Sequence, residues 1–369
     1  MGAIQQNTLY LTTHGSYVAR DHLTLQVEVP VYPEELPREQ RSRERASDWR
    51  KLSIPIHMLE SICVFGPSSI SPPALDLCWE HGVAVNYLSE GGYLQARMTG
   101  VADTSVLLRR AQFRAADDAG RCAGIARQII AGKLQNSRNS LLRGGRETDA
   151  PEERARLTEA TDALARQIAD LGRWSPEDLR QAGALDRLRG AEGMGSVTYF
   201  GVFSLLLKQQ REDFTFVGRS RRPPRDRINC LLSFLYALVR HDCIAALTSV
   251  GLDPFVGFLH ADRPNRPALA LDLMEEFRPW LADRLALTLV NRQQVGLEHF
   301  RVREGGAVEF TDAGRKLVIT AYQQRKQETL THPLLEQEFR IAQFPFVQAR
   351  ILARHLRADI SDYMPFVPK

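Results

Sequence analysis

Cysteine is scarce in this chain and follows no pairing pattern. The five present (Cys63, Cys78, Cys122, Cys230, Cys243) are odd in number and widely spaced, with no CxxC pair. Reduced, mostly buried thiols in a cytoplasmic protein are the expectation. No run approaches the ~20 apolar residues that a bilayer span needs. The opening MGAIQQNTLYLTTHGS has no basic region followed by an apolar one, so no secretory signal is expected. Also missing are GxxxxGK[ST], a Gly-rich dinucleotide fingerprint after a strand, HExxH and GxSxG. Their absence argues against ATP-driven chemistry, hydride transfer and nucleophile-elbow hydrolysis.

What is present is ordinary in bulk and uneven in detail. The 369 residues are 44% apolar and 25% charged, enough for a substantial core. Lys and Arg exceed Asp and Glu by 48 − 44 = 4. Between Ser105 and Arg146, however, nine basic residues face two acidic ones, and GRSRRPPRDR (218–227) holds five Arg against one Asp. Concentrated positive segments suit a polyanion, nucleic acid first; solvated helix faces are the plainer explanation.

Hydropathy patterning divides the chain into a small β domain, residues 1–100, and a larger all-α domain, residues 101–369, an α+β fold. Leu23, Leu25, Val27, Val29 and Val31 alternate with period two, as in a half-buried strand. Leu52, Ile54 and Ile56 repeat the pattern, and Pro55 marks an edge. Ile62 to Phe65 reads as a more buried strand, Ala74 to Glu80 as a short helix, and SEGG (89–92) as a hairpin turn. Glu34 to Lys51 carries eleven charges in eighteen residues and reads as an exposed loop or frayed helix. Beyond Thr104 the period becomes helical: Ser105 to Gly132 as one helix with Arg110, Arg114 and Arg121 on one side, then a polar connection over residues 133–150. Further helices are expected over Glu152 to Leu171, Pro176 to Leu188, Gly190 to Gln210, Asp226 to Val250, Ala268 to Leu289, Thr311 to Gln327 and Leu334 to Leu356.

Chemistry-bearing residues are few. Glu192 sits among glycines in RGAEGMGSVTYF with Ser196 and Tyr199 on its face; a first-turn Glu favoured by the helix dipole would look the same. His260 ends an apolar run (GFLH) before a Pro-rich turn, as a surface His or a presented ligand. Asp272 and Glu275 share one face of an apolar helix, with Glu276 turned away; pairing to arginine competes with a functional role. One Glu, one His and one further carboxylate form a mixed oxygen–nitrogen set suited to Mn²⁺ or Mg²⁺ rather than structural zinc.

The chain resembles the CRISPR-associated integrase of the spacer-acquisition (adaptation) module, in its subtype I-C branch. The stretches that carry the likeness include NTLYLTT, SPPALDLCWEHGVAVNYLSEGGYLQARMTG, SVLLRRAQFR, GAEGMGSVTYF, RRPPRDRINCLLSFLYALV and GLDPFVGFLHADRPNRPALALDLMEEFRPWLADRLALTLVNR. The charged segment 34–51 departs from that pattern. The resemblance implies a metal-dependent DNA endonuclease/integrase whose metal and catalytic residues are Glu192, His260 and Glu275, with Asp272 as supporting acid and Mg²⁺ or Mn²⁺ as cofactor. It implies a homodimer acting on double-stranded DNA, two such dimers bridged by a dimer of a small second adaptation protein, an iron–sulfur CRISPR nuclease as further partner, and no membrane. DNA-contacting candidates are Arg97, Arg109, Arg110, Arg114, Arg219, Arg221, Arg222, Asn291, Arg292, Arg315 and Lys316. The alternative is a non-catalytic nucleic-acid-binding scaffold of the same fold.

Overall fold

A computed structural model describes residues 8–33, 36, 41–59, 61–88, 94–98, 100, 106–220 and 223–368. The chain separates into two units, Met1–Asp103 and Thr104–Lys369.

In the first unit two four-stranded sheets form. One runs β1 (Thr8–Leu11), β5 (Ser61–Phe65), β7 (Ala84–Leu88), β8 (Leu94–Met98). Its first three strands are parallel, and β8 returns antiparallel to β7. Every residue of β5 is buried, because a central parallel strand is covered on both faces; this is why Ile62 to Phe65 reads as a continuous apolar run. The other sheet runs β4 (Asp48–Pro55), β3 (Thr24–Val31), β2 (Tyr17–Asp21), β6 (Ser69–Ile70). In β3, Leu25 and Val27 point into the core as their alternation requires. Leu11, Val18, Ile62 and Val64 join them, together with Leu77 and Cys78 of α1 (Pro72–Glu80). Helix α1 starts where Ser71 caps it and Pro72 sets its first turn.

The charged segment 34–51 is partly strand rather than loop. Its last four residues, Asp48 to Lys51, belong to β4 and pair with β3. Arg43 lies over the rings of Tyr17 and Trp49 at 4.9 and 4.5 Å and pairs with Glu28 at 2.9 Å. The remainder from 34 to 40, apart from Leu36, lies outside the described residues, as do the SEGG turn and Arg221 and Arg222.

The second unit is mainly helical: α2 (Val106–Asp117), α3 (Ala119–Arg146), α4 (Pro151–Gly172), α5 (Pro176–Arg180), α6 (Ala184–Gly201), α7 (Arg227–Val250), α8 (Ala268–Met274), α9 (Arg284–Asn291), α10 (Asp312–Gln327) and α11 (Phe344–Leu356). It is not all-α. Two short antiparallel hairpins, β9 (Phe300–Val302) with β10 (Val308–Phe310) and β11 (Thr329–Thr331) with β12 (Glu338–Arg340), punctuate its last third. The second hairpin takes residues that the helical period had assigned to a helix from Leu334.

Two further departures matter for function. Asp118 caps the amide of Arg121 at 2.9 Å and begins a new helix, so the stripe expected over Ser105 to Gly132 is broken there. The expected connection over 133–150 is instead helix as far as Arg146. Its polarity misleads because Lys133, Asn136 and Ser137 are buried, and Lys133 and Asn136 have partners on other elements. Asn136 Nδ2, for example, donates to the carbonyls of Glu276 and Phe366 at 2.8 Å each.

Helix α7 satisfies the length and composition of a membrane span, yet 78% of its most apolar window is buried inside the protein. It is the central core helix, with apolar side chains on all sides. The five cysteines are buried and unbridged.

Candidate active site

Four elements of the helical unit bring the site together. Glu192 lies midway along α6, with the helix N-terminus eight residues earlier at Ala184, so the helix dipole does not account for it. Helix α6 can lie close against α3 because Gly195 has no side chain; a Cβ there would sit 2.2 Å from Leu134 Cδ2. Glu275 caps the C-terminus of α8 and is 1% exposed. His260 comes from the loop between α7 and α8.

That loop is fixed by Asp272. Its carboxylate is fully buried and accepts four hydrogen bonds. The amides of Phe258 and Leu259 donate to Oδ2 at 2.6 and 3.0 Å, and the amide of His260 donates to Oδ1 at 2.9 Å. His260 Nδ1 donates to the same Oδ1 at 2.6 Å. Gly257 makes this turn possible, since a Cβ would stand 2.8 Å from Ala268 Cβ and 2.9 Å from Asp272 Oδ2. With Nδ1 engaged, Nε2 is the nitrogen left to accept, and it faces Glu275 Oε1 at 3.8 Å.

Lys133, from α3, is the residue that sequence reasoning missed. Its ammonium contacts Glu192 Oε1, Glu275 Oε2 at 2.8 Å and Ser196 Oγ at 3.1 Å. Ser196 in turn donates to Glu192 Oε1 at 2.9 Å. On its other oxygen, Glu275 pairs with Arg278 Nη1 at 2.7 Å. Burial would push the Glu275 carboxyl up, but Arg278, Lys133 and His260 more than offset it and hold the group at about 2.

Among the described residues no three His, Cys, Asp or Glu side chains are grouped tightly enough to hold a metal ion. The reason is visible: the Lys133 ammonium lies between the two carboxylates. The donor set nonetheless suits a hard cation, with two carboxylates and an oriented imidazole. Glu275 Oε2 is buried and accepts no well-aligned hydrogen bond from protein, although Lys133 is near. Glu192 and His260 keep 28% and 20% of their side chains exposed, so the site opens on their side.

Behind this open site stands a buried support. Between Arg278 and α9 the helix widens into a π turn at Arg278–Asp283, where Pro279 has no amide to donate. Arg278 and Arg219 both lie over the Tyr236 ring, 5.0 Å from its centroid, and Tyr236 Oη donates to Asp283 Oδ1 at 2.6 Å. Burial raises the Asp283 carboxyl to about 6. Glu276, next to Glu275, faces the opposite way. Its buried carboxylate accepts from Tyr363 Oη, from Gln348 Nε2 at 2.9 Å and from the Phe366 amide at 2.7 Å. Burial raises it to about 7.

The DNA-contacting candidates divide. Arg110, Arg114, Arg292 and Lys316 are exposed, and Arg109 is half-buried. Arg315 is only 4% exposed, because it lies on the inward face of α10, and is corrected from surface contact to core residue. Asn291 is likewise committed inward: its side chain accepts from the Lys208 amide at 2.8 Å and donates to the Leu206 carbonyl at 2.9 Å. Arg219 donates to Asn229 Oδ1 at 2.6 Å as well as covering Tyr236, so it fastens its loop to α7. Arg97 is half-buried on β8, and desolvation lowers its guanidinium to about 10. A cleft of about 640 Å³ lies away from the carboxylates, bordered by Arg143, Arg146, Arg284 and Arg292.

A strand-rich unit followed by a helical one, with carboxylates and an imidazole presented by α6, α8 and the loop before it, defines a two-unit α+β protein with a polar site in its helical half. Residues 9–324 match the family model "CRISPR associated protein Cas1", and the chain belongs to that family. It is 44% identical over 364 residues to "CRISPR-associated endonuclease Cas1 2" of Rhodospirillum rubrum, covering 98% of both chains. It is 43% identical over 361 residues to "CRISPR-associated endonuclease Cas1 1" of Moorella thermoacetica, again covering 98% of each. A "CRISPR-associated exonuclease Cas4/endonuclease Cas1 fusion" of Geobacter sulfurreducens is 34% identical over 315 residues, covering 84% of this chain and 54% of the fusion.

The fold is that of solved structures too. A casposase bound to integration product superposes with a TM-score of 0.79 at 21% identity, covering 98% of this chain and 93% of the other. A Cas1 protein of Thermotoga maritima gives 0.75 at 22% identity, covering 98% and 100%. A chain of a Cas6-RT-Cas1–Cas2 complex gives 0.75 at 22% identity, covering 98% of this chain and 36% of that one.

Proposed function

We propose that this protein is a divalent-cation-dependent DNA endonuclease and integrase that inserts short captured DNA fragments into a CRISPR repeat array. The observation that carries the reading is the convergence of Glu192, Glu275 and the free Nε2 of His260 on one half-open site, in a family whose curated relatives are named endonucleases. Glu192, His260 and Glu275 would hold Mg²⁺ or Mn²⁺, which supplies Lewis-acid stabilisation of phosphoryl charge and lowers the pKa of an attacking hydroxyl. The chain's own residues do the rest. Asp272 fixes the tautomer and direction of His260. Arg278 keeps Glu275 ionised and in place. The open side at Glu192 and His260 admits a phosphodiester, and held geometry lets a fragment's 3′-hydroxyl attack in line. One phosphodiester forms as another breaks, so no nucleotide hydrolysis is needed.

The partner reading is a homodimer, paired dimers of which are bridged by a small second adaptation protein. The similarity of fold to a chain of a Cas6-RT-Cas1–Cas2 complex supports the second partner. The Cas4/Cas1 fusion relative supports an exonuclease as an associate, which the resemblance implies is the iron–sulfur one. Placement in the subtype I-C branch rests on the sequence stretches alone.

The reaction is tested with the purified protein, its small partner and Mn²⁺. Short duplexes with free 3′-hydroxyls should join covalently to a repeat-bearing plasmid, and blocking those hydroxyls should stop joining without stopping binding. Joining that persists with blocked ends refutes the mechanism; tight binding without joining under any divalent ion identifies a scaffold instead.

Phosphate contacts are placed on the exposed arginines of α2. Reversing Arg110 and Arg114 to Glu should reduce the slope of log K against log[salt] by roughly 2, since each lost phosphate contact removes ~0.9. An unchanged slope in a filter-binding series moves the DNA path to another face.

A further inference from the structure

The centre of the site holds a cation that belongs to the chain. Lys133 is 6% exposed, and its ammonium lies against one oxygen of Glu192, one of Glu275 and the hydroxyl of Ser196. A divalent ion ligated by Glu192 and Glu275 competes with this ammonium for the same two carboxylates. An ammonium sits about 2.8 Å from oxygen, whereas Mg²⁺ requires about 2.1 Å. A divalent ion bound to these carboxylates repels an ammonium at such range, and one small buried space favours a single cation. One must leave, and the two candidates for leaving differ. Arg278 is pinned, with its guanidinium on Glu275 and over the Tyr236 ring. Lys133 ends a flexible four-carbon stem, and its neighbour Glu192 marks the side open to solvent.

We propose that Lys133 is the resident counter-ion of the cation site: its ammonium holds Glu192 and Glu275 together when no divalent ion is bound, and swings out toward the open side when one binds. This rests on the divalent-cation reading given above. It accounts for two carboxylates lying against one another's counter-charge in a largely buried position. It also places a displaced ammonium where a substrate phosphate enters.

The experiment uses the full-length wild-type chain. Lysine amines are labelled with an acylating reagent in EDTA and again in saturating Mn²⁺, and each site is read by mass spectrometry. Lys133 labelling should rise about tenfold or more with Mn²⁺, as a buried, doubly paired amine becomes accessible, while exposed Lys51 and Lys316 stay constant. In parallel, Mn²⁺ is titrated into wild type and Lys133→Met by calorimetry. Removing the competing charge should tighten Mn²⁺ binding about tenfold, and Lys133→Arg, which keeps the charge, should not tighten it. If Lys133→Met fails to fold, the wild-type labelling decides alone. Stoichiometric Mn²⁺ binding with Lys133 labelling unchanged or reduced overturns the counter-ion role and leaves the cation site standing. Absence of Mn²⁺ binding in the wild type overturns both.

Discussion

Glu192→Ala and Glu275→Ala should both lose DNA joining, by ~10³-fold or more, but only the second should lose stability. The loss of activity follows from removing a carboxylate that stabilises phosphoryl charge through the bound ion, worth several kcal/mol at the transition state. The stability difference follows from burial. Glu275 is 1% exposed and is shared by Lys133 and Arg278. Truncating it leaves the buried Arg278 without its anion and Lys133 with Glu192 alone, at a cost of about 3–5 kcal/mol. Glu192 keeps 28% of its side chain in solvent, and Lys133 retains Glu275 if Glu192 is removed. Its variant should melt within a few degrees of wild type. His260→Ala should follow Glu192 in activity and fall between the two in stability. Joining assays beside thermal melts read both effects, and full activity in the Glu192 variant would sink the assignment.

Asp272→Ala should be the most damaging of the acidic substitutions to the fold. As a supporting acid and not one of the three proposed ligands, Asp272 should matter less to DNA joining than they do. The structure changes the ranking for stability. Three backbone amides and the His260 ring donate to this one buried carboxylate. Alanine leaves those amides buried without an acceptor, at about 1–3 kcal/mol for each donor left unmade. The loop carrying His260 should then detach, lowering denaturant midpoints sharply and weakening Mn²⁺ binding. Asp272→Asn keeps an acceptor oxygen but turns an amide group toward donors. It should retain more stability while costing ~10–100-fold in metal affinity, the usual effect of losing a ligand's orienting partner. Equilibrium unfolding beside a Mn²⁺ titration separates the two terms. A wild-type midpoint for Asp272→Ala would show that the loop holds itself.

Strand β3, α4, α7 and α10 were legible because their periodicity reflects packing on one core, a property that is local in sequence. Cysteine burial was legible for the same reason. The helix over 133–146 was not, because a polar side chain on its inward face, Asn136, bonds to backbone carbonyls more than a hundred residues away. The single available signal for Lys133 was its spacing: three and four residues after Ile130 and Ile129, it continues their buried stripe.

Taken alone, the sequence determined that a strand-rich segment precedes a helical one, singled out Glu192, His260, Asp272 and Glu275 as candidates, and showed that the chain resembles a DNA-inserting family. Those are matters of residue type and local period. Only tertiary structure decided that Asp272 builds the turn bearing His260, that Arg315 and Asn291 serve the interior, and that a lysine from α3 occupies the space between two carboxylates from α6 and α8. Charges brought together from distant segments leave no period in the chain, because their attraction depends on separation in space and on burial, and neither is written in the order of residues.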